Sequence, residues 1–287
     1  MKEKWKPYLM VLPVVLVLMG TLFSGLAMAL LQSLGRFSAM GLENWTLAYY
    51  IKAFSNQDFL HALGYSFYLS GLSATLSTLV GVGLAYSLKH LGSRGVGLSR
   101  FYHIPIAIPH IVAVMMVSNI FAQSGILSRL AYGLGWIDKL TDFPSLIYHP
   151  KGWGIILVYI WKEMPFVLMT TYMSLSKLNE QWHEVASNLG ASAWQIFRYI
   201  EWPLLKPTIY SAFVMIFAFS FGGYEVPYLL GANYPKTLPI YGFLAYTSGD
   251  LKDRPYAMAI NLLMAGICFL GLEIYFKYQE KNKDWQL

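Results

Sequence analysis

The sequence predicts an all-α protein that crosses a lipid bilayer six times. Apolar residues make up 56% of its 287 residues and charged residues only 13%, whereas a soluble domain averages about 25% charged residues. Six stretches reach the roughly 20 apolar residues that a helix needs to cross the hydrocarbon. The single cysteine, Cys268, has no second cysteine to pair with. A soluble globule, a disordered chain and a disulfide scaffold are therefore excluded.

Each predicted span is an apolar run bounded by charged or polar residues. The first follows a group of lysines and resembles a signal peptide, but its length of about 20 residues favours an uncleaved helix. The fourth is interrupted by Lys162 and Glu163, and the fifth carries Glu225 near its end. The spans form one domain of residues 1–287 and lie at about 8–31, 62–88, 103–122, 152–176, 207–230 and 255–276.

The distribution of basic residues predicts that both termini are cytoplasmic. Six spans place the termini on one side, and with the N-terminus inside, the inner segments carry more Lys and Arg than the outer ones. The loop after the second span is the clearest case, with Lys89, Arg94 and Arg100 and no acid. No long basic run is present, so a nucleic-acid partner is not expected.

The inner segment between spans four and five, residues 177–206, is predicted to form two short amphipathic helices. Apolar side chains recur at helical spacing as far as Gly190, which interrupts the pattern. Ser192 can cap a second helix, which Pro203 and Pro207 would end before the fifth span. Such a segment offers a docking surface to a cytoplasmic partner.

This segment resembles the EAA loop of binding-protein-dependent ABC importer permeases, the MetI-like family. The family pattern is Glu-Ala-Ala, three residues, Gly, then nine residues to Ile-x-Leu-Pro. The matching residues here are Glu184-Val185-Ala186, Gly190-Ala191-Ser192 and Ile200 to Pro203, with Val185 and Trp202 departing from the pattern. Two further stretches look like family landmarks, Ile104 to Pro109 in span three and Trp161 to Phe166 in span four.

The resemblance implies a permease domain in a bacterial inner (plasma) membrane, with residues 177–206 as a coupling loop docked on an ABC ATPase dimer. Glu184 would pair with a basic residue of the ATPase, and Gly190 would allow close backbone approach. ATP and Mg would be bound by that ATPase, and this chain would bind no cofactor. The other implied partners are an extracytoplasmic solute-binding protein, the lipid bilayer and a second permease subunit, for which a different chain is favoured over a second copy. The implied ATPase-coupling residues are Glu184, Ala186, Gly190, Ala191, Ser192 and Pro203.

The sequence has no recognisable catalytic or metal-binding motif. No Gly-Lys dipeptide occurs, so the phosphate-binding loop of an ATPase is absent. His183-Glu184 begins a zinc motif, His-Glu-x-x-His, but Ser187 stands where the second histidine is needed. A non-catalytic permease subunit is therefore expected, and an ATP-independent channel or a membrane enzyme is less favoured.

Two groups of polar residues are candidates for the solute pathway. Lys162 and Glu163 lie about 15 Å into span four, where charges either line a cavity or pair with neighbouring spans, and structural pairing is favoured. Glu225 lies between Tyr224 and Tyr228 at the outer end of span five, where glycines and a proline predict a broken helix. This acid could hold a cation with the help of the tyrosines, or it could be a helix-end acid in water, and neither interpretation is favoured.

The stretch at 224–231 resembles permeases of the spermidine/putrescine type. A cationic polyamine would suit Glu225 and its aromatic neighbours by charge complementarity. Related branches of the family carry thiamine, ferric iron, phosphonate or sulfate, and these solutes remain alternatives.

Overall fold

The structure is a computed structural model that describes residues 6–91, 102, 104–178 and 180–283. Its described part consists of helices and connecting loops and contains no strand, so the predicted all-α class is confirmed. Some predicted features lie outside the described residues: Lys2, Lys4, Arg94, Arg100, residue 103 of the predicted third span and residue 179 of the loop.

Six helices of the described residues are long and apolar enough to cross a membrane, as the sequence predicts. They are Tyr8–Ser33, Gln57–Lys89, His110–Gly133, Trp153–Ser176, Ala193–Gly222 and Leu251–Lys277. In chain order the individual helices are α1 (Lys6–Ser33), α2 (Ala48–Ser55), α3 (Gln57–His90), α4 (Ile104–Ala107), α5 (His110–Phe121), α6 (Ile126–Gly133), α7 (Trp153–Ser176), α8 (Glu180–Asn188), α9 (Ala193–Ile196), α10 (Trp202–Gly222), α11 (Glu225–Leu230), α12 (Leu238–Tyr246) and α13 (Arg254–Lys283).

The chain divides into two compact units, and the first comprises Met1–Leu60 and Tyr241–Ile267. Aromatic contacts hold this unit together. The buried ring of Phe59 meets the ring of Tyr241 edge to face at 6.5 Å. The Tyr241 and Tyr256 hydroxyls are 3.3 Å apart, and the Lys52 ammonium lies 4.7 Å from the centre of the Tyr256 ring. These are favourable edge-to-face and cation–π geometries.

The second unit comprises His61–Ile240 and Cys268–Leu287 and contains all the candidate site residues. Its helices α3, α7 and α10 pack through an apolar cluster at mid-length, whose buried members are Ala74, Val167, Ala212 and Ile216. Gly81 allows α3 to approach α7 closely, because a β-carbon there would lie 2.8 Å from Cβ of Val167 and 2.9 Å from the carbonyl oxygen of Met164. Small residues at helix contacts are a general device of membrane proteins.

The structure divides two of the predicted spans. The predicted third span, 103–122, is broken at residues 108–109 between α4 and α5, and a further helix, α6, follows it. The predicted fifth span, 207–230, ends at Gly222, and Glu225 begins the separate helix α11. Both breaks occur beside a proline or glycine, Pro109 and Gly223, where a helix is readily interrupted.

The prediction that Pro203 and Pro207 end the second loop helix is wrong. Instead α9 continues through a π-turn, Phe197–Glu201, directly into α10. Pro203 is the second residue of α10, which follows the π-turn directly. The wider π-turn uses the N–H of Trp202 to reach the carbonyl of Phe197, and Pro207 is accommodated inside α10.

A glycine substitution tests the packing of α3 against α7. We expect Gly81→Ala to lower the stability of the purified protein by about 1–3 kcal/mol, the usual cost of overpacking. Gly83→Ala, in the same helix, is the matched control, because a β-carbon at Gly83 meets no atom within 4 Å. Thermal unfolding in detergent measures both variants. An equal melting temperature for Gly81→Ala and Gly83→Ala would contradict the close approach.

Candidate functional site

The loop between spans four and five contains a helix that ends at a glycine turn. The N–H of Gly190 donates to the carbonyl of Ser187 at 2.9 Å, and the N–H of Ala191 donates to the carbonyl of Ala186 at 3.0 Å. This is the pattern of a Schellman motif, and the φ of +81° at Gly190 is the left-handed conformation that the motif requires. A β-carbon at Gly190 would meet no atom within 4 Å. The backbone conformation, rather than space within this chain, therefore calls for glycine.

Ser192 begins the next helix, as the sequence predicts. Its hydroxyl accepts a hydrogen bond from the N–H of Gln195 at 3.4 Å, and the N–H of Ser192 donates to the side-chain oxygen of Gln195 at 2.7 Å. This reciprocal pair is a capping box. The glycine turn and the capping box together fix the direction in which α8 leaves α9.

Helix α8 presents apolar side chains to open space. Trp182, Val185 and Leu189 are exposed, Leu189 to 83%. Glu184 is also exposed, and within the described part of the chain it makes no hydrogen bond or ion pair. A groove of about 540 Å³ runs along this surface, lined by Trp182, Val185, Ala186, Leu189, Tyr199, Ile200, Pro203 and Leu204. An exposed apolar surface with an acid beside it is typical of a protein interface.

The inner end of span two is joined to this loop by an ion pair that the sequence analysis missed. The Lys89 ammonium lies 2.8 Å from a carboxylate oxygen of Glu201, whose side chain is only 6% exposed. The Tyr86 ring meets the Phe197 ring edge to face at 5.5 Å. Because 112 positions separate Lys89 from Glu201, no spacing rule connects them. The one signal was an acid inside the apolar Ile-Glu-Trp-Pro stretch at the membrane entry.

Lys162 satisfies the backbone at the break in span three. Its ammonium donates to the carbonyl of Pro105 at 2.8 Å and to the carbonyl of Ile108 at 2.5 Å. Pro105 lies in the four-residue helix α4 and Ile108 in the break that follows it, and the carbonyls at the end of a helix have no partner within the helix. In a bilayer an irregular backbone of this kind is tolerated only where other groups satisfy it.

Glu163 contacts two other spans and not Lys162. Its carboxyl group is buried and forms hydrogen bonds with the hydroxyls of Ser77, at 3.4 Å, and Ser220. Ser77 lies in α3 and Ser220 in α10, so one side chain of α7 joins three membrane-length helices. The two adjacent charged residues therefore have separate structural partners.

Glu225 lies at the opposite end of α10 from the loop. It is exposed in the first turn of α11, and the rings of Tyr224 and Tyr228 stack beside it with centres 5.0 Å apart. Gly223 leaves room for the Tyr159 hydroxyl, which a β-carbon would overlap. The His110 ring at the start of α5 lies 5.4 Å from the Phe219 ring near the end of α10, and Val226 of α11 shares an apolar cluster with Val114 of α5. The outer break of span five and the break of span three thus lie in one region of the second unit.

The described residues hold no group of three or more His, Cys, Asp or Glu side chains suited to a metal ion. The second unit has two separate exposed surfaces: one is formed by α8 and its groove, and the other by Glu225 and its tyrosines.

Removing the ammonium of Lys162 tests its role at the break. Lys162→Met leaves the carbonyls of Pro105 and Ile108 without their donor, and each buried unsatisfied group costs about 1–3 kcal/mol. We expect a clear fall in melting temperature in detergent, with Lys151→Met, at an exposed site, as the control that leaves it unchanged. If both variants melt like the wild type, Lys162 does not support the break.

The chain matches known proteins in sequence. Residues 77–284 match the protein family described as "Binding-protein-dependent transport system inner membrane component". The chain is 27% identical over 217 residues to the thiamine transport system permease protein ThiP of Escherichia coli, covering 74% of this chain and 38% of ThiP. It is 25% identical over 229 residues to the probable sulfate transport system permease protein cysT of Marchantia polymorpha, covering 79% of this chain and 75% of that protein. The chain thus spans about two fifths of the length of ThiP.

The fold also matches a solved structure. A chain of a bacterial alginate ABC transporter, solved in complex with an alginate pentasaccharide-bound periplasmic protein, aligns with a TM-score of 0.75 and 21% identity. The alignment covers 96% of this chain and 93% of that chain. At this identity the likeness concerns the fold.

Proposed function

Because the chain belongs to the family of inner membrane components of binding-protein-dependent transport systems, we propose that it is a transmembrane permease subunit of an ATP-driven ABC importer. In this proposal it passes a small polar solute from an extracytoplasmic binding protein to the cytoplasm. Its six membrane-length helices make it a multi-pass membrane protein, and we place it in a bacterial inner membrane. It works as a non-catalytic subunit, and a separate ATPase binds and hydrolyses ATP with Mg.

The observation that carries this proposal is the exposed surface of α8. A helix outside the membrane-length segments that exposes Trp182, Val185 and Leu189 to water needs a protein to cover it. The groove beside it continues onto the start of α10, so a partner bound there contacts both the loop and a spanning helix. An ABC ATPase dimer is the partner that fits, with Glu184 offering a charge to a basic residue. The residues proposed to couple to it are Glu184, Ala186, Gly190, Ala191, Ser192 and Pro203.

Two permease subunits are needed to enclose a pathway in this kind of importer, and we keep the prediction of a heterodimer. The relatives include permeases of thiamine and sulfate systems, and a periplasmic protein accompanies the alginate transporter. These names support the kinds of partner proposed here: a second permease chain, an ATPase dimer and a binding protein.

A charge reversal on α8 tests the docking. We expect Glu184→Arg to lose the ATPase when the tagged permease is purified from membranes, because the basic residue facing it would be repelled. Solute uptake in a strain lacking the gene would then be restored by the wild type and not by Glu184→Arg. Glu273→Arg, which changes a half-exposed acid of α13, is the matched control. Normal ATPase recovery and uptake with Glu184→Arg would contradict the docking role.

For the solute we propose an organic cation, with a polyamine of the spermidine/putrescine type as the first candidate. Glu225 offers a negative charge, and the stacked rings of Tyr224 and Tyr228 offer aromatic faces, which together attract ammonium groups. Thiamine is the second candidate, because thiamine permeases are among the relatives and because thiamine is itself a flat cation that can stack on tyrosine. Lys162 and Glu163 have structural partners and are placed outside the solute contacts.

Neutralising Glu225 tests the solute. In cells lacking the gene we expect the wild-type chain to restore uptake of labelled spermidine or thiamine. Glu225→Gln should weaken that uptake by up to about fivefold, the scale of an exposed ion pair of about 1 kcal/mol. ATPase recovery with the tagged chain should be unchanged. Uptake of labelled sulfate in place of both cations would overturn the solute proposal and leave the importer function intact.

A further inference from the structure

The junction between span two and the loop has an unusual construction. Glu201 is the last residue of the π-turn that leads from α9 into α10. Its side chain is buried, and the Lys89 ammonium that meets it at 2.8 Å is partly buried. π-turns inside helices occur frequently at functional sites. Here the turn carries the carboxylate that reaches the end of α3.

A buried ion pair is better suited to fixing a geometry than to adding stability. The cost of removing both charges from water offsets most of their attraction, yet removing one partner leaves an uncompensated buried charge. Lys89 and Glu201 therefore hold α3 and the loop in one relative position and strongly disfavour others. An exposed pair such as Lys277–Glu273, four residues apart on α13, imposes no such constraint.

Aromatic rings reinforce the junction. The Tyr86 ring packs edge to face on Phe197, and Phe197 stacks on Trp194 at 5.3 Å. Below them the buried side chains of Ala85, Leu175, Leu205 and Ile209 form one cluster that belongs to α3, α7 and α10. The ring contact and the ion pair are thus two neighbouring contacts between α3 and the loop.

The connectivity gives this junction its importance. Span four runs directly into the loop, and α9 runs through the π-turn into span five, so the covalent chain connects both to α8. Span two has no covalent connection to the loop. Among the described residues, span two contacts the loop through the Lys89–Glu201 pair and the Tyr86–Phe197 rings, and it contacts spans four and five through the apolar clusters at Ala74 and Ala85.

We infer that the Lys89–Glu201 ion pair fixes the end of span two to the coupling loop, so that span two follows the loop when the loop moves. This inference rests on the proposed importer function and adds two positioning residues, neither of which contacts solute or ATP. Glu201 and Lys89 lie outside the groove that receives the ATPase. Their loss should therefore leave ATPase binding intact and separate it from the movement of the spans.

The experiment follows the movement of span two in the purified complex of the tagged permease with its ATPase. Spin labels are placed at Leu79→Cys on span two and Met215→Cys on span five, both exposed positions, in a Cys268→Ser background. The distance between the labels is measured without nucleotide and with ATP and vanadate. The variants are Glu201→Gln, Lys89→Met, the charge swap Lys89→Glu with Glu201→Lys, and Glu273→Gln as the control.

The expected result is a distance that nucleotide leaves unchanged in the wild type and in Glu273→Gln, because span two moves together with the loop and span five. In Glu201→Gln and Lys89→Met nucleotide should change or broaden the distance, while both variants still retain the ATPase and hydrolyse ATP, and the charge swap should return the wild-type behaviour. Single variants that bind ATPase and show no effect of nucleotide on the distance, or a charge swap that behaves like the single variants, would overturn the inference. If the wild-type permease is purified without an ATPase, the proposed importer function is overturned. A failure of the variants alone cannot give that result.

Discussion

The second unit depends on one constraint: polar backbone and side-chain groups that are shielded from water need hydrogen-bond partners within the protein. A chain in a bilayer cannot leave the carbonyls of an interrupted helix to the solvent. Span three is nevertheless interrupted at residues 108–109, and the Lys162 ammonium provides the missing donor. The neighbouring Glu163 meets serine hydroxyls of spans two and five. Two consecutive side chains of α7 thus connect it to three other spans, and they explain why charges are tolerated at that depth.

The sequence analysis succeeded where the determinants are local. Hydrophobic length predicted the six spans, and a glycine followed by a serine predicted the interruption at Gly190 and the helix cap at Ser192. It failed where the partner of a residue is distant in sequence. It also failed where a local change of backbone conformation lets a helix continue through a proline. Neither Lys89 nor Lys162 reveals its partner by spacing, because each partner lies in another span. Pro203 suggested a helix end, but a π-turn carries the helix through to Gly222.

The family relationship indicates the fold, whereas the proposal for the solute depends on individual residues. Relatives of this chain carry names as different as thiamine and sulfate permease, a cation and an anion. Membership of the family therefore indicates the scaffold, and the proposal for the charge of the solute rests on residues such as Glu225. The stacked tyrosines beside Glu225 follow a break in span five, so the residues proposed to select the solute sit on a short helix that can change without altering the spans.

The uninterrupted passage from α9 to α10 makes α9 and span five one continuous helical segment. From Ala193 to Gly222 the chain is helical for 30 residues, which at 1.5 Å per residue amounts to about 45 Å. A tilt of about 5° at the inner end of a rod of that length displaces its outer end by roughly 4 Å. Glu225 follows three residues beyond that outer end. A helix end at Pro203 would form a hinge, and a tilt on one side of it would not move the other side. Because the helix continues through the π-turn, a tilt at one end displaces the other end as well.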